Sequence, residues 1–74
     1  MVKYANRGGD SGITDYECGK DYIQVSFRDG SVYVYTAESA GIENVEQMKR
    51  LAQEGEGLNS YINRHARKRY AYKK

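Results

Sequence analysis

The chain has no tryptophan and no proline, and its 74 residues include one phenylalanine, one histidine and one cysteine. Each scarcity excludes something. The lone Cys18 permits no disulfide within the chain and no thiolate pair to hold zinc. The lone His65 cannot build a metal site by itself, and it is the only imidazole available as a catalytic base. No stretch approaches the ~18 consecutive apolar residues of a membrane span. The opening "MVKYANRGGD" has no apolar signal core, so the chain reads as soluble and cytoplasmic. A domain of this length buries only about 60% of the surface its unfolded chain exposes. With other large rings scarce, the eight tyrosines must fill much of a thin core, and each hydroxyl needs water or a partner.

Charge is present in both signs but unevenly spread. Residues 1–56 carry six basic and ten acidic side chains, a net −4, whereas residues 57–74 carry six basic side chains and no acidic one, a net +6. A one-signed end of this kind is a candidate footprint for nucleic acid.

The alternation of apolar and polar residues places the elements. "NRGGDSG", Asn6 to Gly12, reads as the end of a flexible lead-in covering residues 1–12. Ile13 to Cys18 is a first strand. Tyr22 to Arg28 is a second, with Ile23, Val25 and Phe27 on one face. Asp29-Gly30 turns the chain into a third strand, "SVYVYT". The period then becomes helical: Val45, Met48, Leu51 and Ala52 share a face, Asn44 with Gln47 offers a capping box, and Gly55 offers a stop. Asn59 is placed to cap a second helix with the stripe Leu58, Ile62 and Ala66. Strands first and helices last predict an α+β domain over residues 13–70. Its expected form is a small three-stranded antiparallel sheet followed by two C-terminal helices packed on one face. Residues 71–74 read as a frayed basic tail.

The Asp29-Gly30 turn admits two registers. A two-residue turn pairs Val25 with Val34 and leaves Tyr33 and Tyr35 on the face opposite Ile23, Val25 and Phe27. A three-residue loop with Gly30 as a left-handed bulge pairs Val25 with Tyr33 and Ile23 with Tyr35, bringing the rings to the core side. One residue of slip exchanges the faces, because the strand period is two.

The stretches "SGITDY", "IQVSFRDGSVYVY" and "GEGLNSYI" resemble the KTSC family, small domains named for a copy at the C-terminus of some lysyl-tRNA synthetases. The motif positions carried over are Ser11, Phe27, Gly30, Tyr33, Tyr35, Gly57 and Asn59, and the resemblance spans about residues 11 to 70. Two departures stand out: the family often has a proline after its tyrosine pair, absent here, and Ser-x-Gly where this chain has Gly55-Glu56-Gly57. The resemblance implies RNA or other nucleic-acid binding. It selects the two tyrosines rather than the valine between them, which implies the bulged register with the rings inward.

"RHARKRYAYKK" carries the strongest site signal. Arg64, Arg67, Lys68, Arg69, Lys73 and Lys74 can neutralise phosphates, while Tyr70 and Tyr72 can stack on unpaired bases. The same cations would also suit an ordinary solvated helix end. "GGDSG" resembles the nucleophile loop of trypsin-like serine proteases, but so short a chain lacks the scaffold that brings base and orienter to a nucleophile. Cys18 beside Glu17 is poorly placed for a thiolate. Asp10, Asp15, Glu17 and Asp21 lack the spacing of a calcium loop. The sequence therefore reads as a non-enzymatic module with no cofactor, no metal and no membrane partner. It binds RNA or single-stranded nucleic acid through its basic C-terminal helix or, alternatively, another protein through a Tyr-rich sheet or an acidic edge.

Overall fold

The turn after Phe27 organises the sheet. A computed structural model describes residues 2–7 and 12–74. In it the Gly30 N–H donates to the Phe27 carbonyl (3.0 Å), and the Phe27 N–H donates to the Ser31 carbonyl (2.8 Å). The Ser31 N–H donates to Asp29 Oδ1 at 2.9 Å, and Gly30 sits at φ +93°, a conformation that glycine adopts without steric cost. The result is the bulged three-residue loop. β3 (Tyr22–Phe27) pairs with β4 (Val32–Thr36) with Val25 opposite Tyr33 and Ile23 opposite Tyr35.

The α+β class holds, but the three-stranded sheet does not. The described residues form a five-stranded antiparallel sheet in the order β1-β2-β3-β4-β5. β1 (Val2–Lys3) pairs with β2 (Ile13–Cys18), and β5 (Tyr72–Lys73) pairs with β4. Both added strands are two residues long. Neither length leaves a periodic trace in the sequence, and each finds its place only because a longer neighbour offers an open edge of backbone donors and acceptors. The expected lead-in thus supplies a strand and Tyr4, which is 3% exposed and belongs to the core. The expected frayed tail is fastened to β4: Ala71 N–H donates to the Val34 carbonyl and Lys74 N–H to the Val32 carbonyl, both at 2.7 Å.

The two C-terminal helices also need correction. β4 runs directly into a short helix, α1 (Ala37–Ala40), whose capping box is formed by Thr36 and Ser39. The Thr36 hydroxyl accepts the Ser39 N–H (3.1 Å) and the Ser39 hydroxyl accepts the Thr36 N–H (3.0 Å). α2 (Ile42–Glu54) follows with Gly41 as its cap. Asn44 is therefore inside the helix. Its amide donates to the Ala40 carbonyl (2.7 Å) and accepts the Tyr61 hydroxyl (2.5 Å), which ties α2 to the next helix. Gly55 ends α2 as the sequence indicated, at φ 83°. A Cβ there would lie 2.5 Å from the Cβ of Ala5, so the glycine also permits close approach of the N-terminal segment. α3 (Leu58–Tyr61) starts after Gly57 and continues as a π-helical stretch, Ile62–Ala66.

One face of the sheet is covered by these helices. Ile13, Tyr16, Ile23, Val25 and Tyr35 pack there against Val45, Met48, Ala52, Leu58, Ile62 and Ala66, with Phe27, Tyr33, Leu51 and Tyr61 at the margins. Tyr4 closes one end, its hydroxyl accepting the Leu58 N–H at 3.3 Å.

Candidate nucleic-acid interface

The register sets the site. Because Tyr33 and Tyr35 lie on the helix-covered face, their rings run toward the π-helical stretch rather than standing on an open sheet. Tyr35 is 2% exposed, while Tyr33 is half-buried. Phe27 meets Tyr33 edge-on, with ring centroids 5.6 Å apart. Tyr70, delivered by the chain between Ala66 and β5, meets Tyr33 at 4.9 Å and Tyr35 at 6.4 Å, in both cases near perpendicular. These four rings form one edge-to-face cluster, the arrangement that aromatic quadrupoles prefer.

The cluster forms the wall of a groove of about 550 Å³ between the β3–β4 turn and the π-helical stretch. Arg28 and Asp29 enter from the turn, Asn59 and Asn63 from the helix, and Arg67 and Lys68 from just beyond it. Arg28, Arg67 and Lys68 are exposed, and none joins either ion pair found among the described residues, Lys49–Glu46 (3.0 Å) and Arg50–Glu54 (3.6 Å). Asp29 is the one carboxylate lining the groove, and the Ser31 N–H that it accepts holds its carboxyl below the usual range. Among the residues that line the groove, Tyr35 is the most buried. Desolvation, with smaller contributions from Tyr33 and Tyr70, pushes its phenol up to about 12, so it is a neutral hydroxyl at ordinary pH.

The sequence-predicted residues divide among three places. Arg67, Lys68 and Tyr70 line the groove together with the motif residues Phe27, Tyr33, Tyr35 and Asn59. Lys73 stands beside it, its ammonium 5.4 Å from the centre of the Tyr33 ring, a cation–π contact. Tyr72 and Lys74 face the opposite side of the sheet, where Lys74 Nζ donates to Gln24 Oε1 at 2.8 Å. Arg64 and Arg69 are exposed but line neither hollow. Gly30 and Gly57 act on the backbone, in the turn and at the start of α3. Ser11, with Asp10 of the "GGDSG" loop, lies outside the described residues. Arg28 and Asn63 escaped the sequence reading: one sits in a turn and the other on a polar helix face, and only the fold sets them beside the tyrosines.

The second hollow, about 410 Å³, lies on the uncovered sheet face and is lined by Glu17, Asp21, Glu38, Tyr22, Tyr72 and Lys74 among others. There the Tyr22 hydroxyl donates to Glu17 Oε2 at 3.2 Å, and this bond with the Glu17 charge raises the phenol. Cys18 lies at the exposed end of β2. Burial raises its thiol first of all, the Lys49 charge opposes that and Glu46 adds to it, so the thiol form is favoured. His65 stacks on Tyr61, centroids 4.6 Å apart, one turn away on the same helix. Among the described residues no three His, Cys, Asp or Glu side chains converge as a metal site, and no helix is long and apolar enough to cross a membrane. No family model, curated protein or solved structure matches the chain.

Proposed function

We propose that this chain is a small, non-enzymatic module of KTSC type that binds single-stranded nucleic acid, RNA in particular, in the cytoplasm. The observation that carries this reading is the convergence of Arg28, Arg67 and Lys68 with the Tyr33 and Tyr70 rings on one groove. Cations without carboxylate partners attract phosphates, and exposed ring area beside them accepts an unpaired base. Two asparagine amides, Asn59 and Asn63, add donors and acceptors for a base edge or a ribose hydroxyl. The binding so achieved is modest, because few phosphates are engaged. With about three contacts, log K should fall against log salt with a slope near −2, at roughly −0.7 per phosphate on a single strand.

The test is a titration of labelled single-stranded RNA at several salt concentrations, with native protein and with Arg28→Gln, Arg67→Gln and Lys68→Gln combined. Salt-sensitive binding that the triple variant flattens supports the reading. The second hollow, with Glu17, Asp21 and Glu38, supports a rival, an adaptor for a basic protein segment. RNA binding that is absent at low salt, or indifferent to the triple substitution, would favour that rival.

A further inference from the structure

Resting on the nucleic-acid reading, we infer that the groove takes the phosphorylated end of a strand, a terminal nucleotide bearing a phosphomonoester, rather than a stretch from the strand's interior. The size of the site is the first reason. A groove of about 550 Å³ on a molecule 30 Å in its longest dimension accommodates a ligand of nucleotide size.

Charge is the second reason. An interior phosphodiester carries one negative charge, whereas a phosphomonoester carries about −1.5 to −2 at neutral pH and offers three acceptor oxygens. Three cations line this one small groove from two separate parts of the chain, the β3–β4 turn and the segment after Ala66. None has an acidic partner among the described residues, and the one carboxylate nearby, Asp29, is already engaged by the Ser31 N–H. Three cations exceed what one diester needs and match a dianion, for which an arginine fork supplies paired, charge-assisted hydrogen bonds. The Tyr33 and Tyr70 rings, on the same wall, provide the stacking surface for the attached base.

The experiment compares one short single-stranded RNA in three forms: ending in hydroxyls, carrying a 5′-phosphate, and carrying a 3′-phosphate. Adenosine 5′-monophosphate serves as competitor. At least one phosphorylated form should bind about tenfold more tightly than the hydroxyl form at low salt, the size expected for one further charge-assisted contact set. The ratio should grow from pH 5 to pH 7 as the monoester loses its second proton near pH ~6. Arg28→Gln and Arg67→Gln should each shrink the ratio, while Lys20→Gln, in the β2–β3 turn at the other end of β3, should not. Circular dichroism of each variant separates lost folding from lost recognition. If the free nucleotide displaces the phosphorylated RNA, the groove reads nucleotide plus monoester; if only the strand competes, neighbouring nucleotides contribute. Equal affinity for hydroxyl and phosphorylated ends, with salt-sensitive binding intact, would overturn end recognition while leaving single-strand binding in place. Binding of none of these RNAs would remove the underlying reading as well.

Discussion

Tyr70 stands edge-on to Tyr33, ring centroids 4.9 Å apart and planes at 73°, although 37 positions separate the two in sequence. Tyr33 belongs to β4, which is paired on both sides, to β3 and to β5. Tyr70 is 39% exposed and is held mainly by the pairing of the following residues to β4. On the proposed reading, these two rings are the surface on which an unpaired base stacks, with Tyr70 the more accessible of the two. Tyr70→Ala should therefore leave the fold intact and weaken single-strand binding by about 1–3 kcal/mol, the range for loss of one base–aromatic stack. Fluorescence anisotropy with a labelled RNA measures it, and an unchanged affinity would remove Tyr70 from the site.

Tyr35 carries more of the stability. Its ring fills the centre of the core, so Tyr35→Ala should cost about 3–5 kcal/mol in urea denaturation. A loss under about 1 kcal/mol would mean that the ring is not packed as described.

The same phenol sets an alkaline limit. Tyr35 titrates at about 12 in the folded protein against a reference of 10.0. The unfolded chain therefore loses this proton first, and its stabilising contribution, complete below pH ~10, is lost as pH rises toward ~12. Tyr4 and Tyr16 are shifted in the same direction, chiefly by burial. Tyr35→Phe should make the fall in melting temperature across this window shallower, and an unchanged profile would assign the alkaline loss to other groups.

Gly30 isolates the cost of the turn. A Cβ added there meets nothing within 4 Å, yet φ is +93°. Gly30→Ala should then destabilise through backbone strain alone, by about 1–2 kcal/mol, and Gly30→Asn by less. Equal losses for the two would argue that the loop has changed conformation.

Tyr4 supplies what the start of α3 lacks. Gly57 has no side chain with which to cap the helix, and the Tyr4 hydroxyl accepts the Leu58 N–H instead. Tyr4→Phe keeps the ring and orphans that N–H, at an expected cost of about 1–3 kcal/mol in chemical denaturation. A neutral Tyr4→Phe would mean that water satisfies the helix start equally well.

Much of the local structure was legible. The alternation in β3 and β4 is unambiguous, but Asp29-Gly30 suits both hairpin registers, and only the resemblance's tyrosine pair favoured the bulged one. Gly55 marked the end of α2. What could not be read was anything decided by an edge or a distant partner. Val2–Lys3 and Tyr72–Lys73 become strands only against β2 and β4. Thr36 and Ser39 cap α1, whereas Asn44 and Gln47 fit the capping pattern without using it, because α2 had already begun at Ile42. The basic run looked like one continuous surface in the sequence. Pairing of β5 to β4 turns Lys73 and Lys74 to opposite faces, since successive strand residues alternate. The groove draws on residues from Gly12 to Tyr70, and no local window contains it.

The most direct measurement is a map of backbone amide chemical shifts as a short single-stranded RNA is added to the labelled protein at low salt. If the groove is the binding site, the shifts cluster on Arg28, Tyr33, Asn63, Arg67, Lys68 and Tyr70, fade as salt is raised, and leave Glu17, Gln24 and Glu38 unmoved. Shifts confined to Glu17, Gln24 and Tyr72 on the opposite face, or no shifts at all, would contradict it.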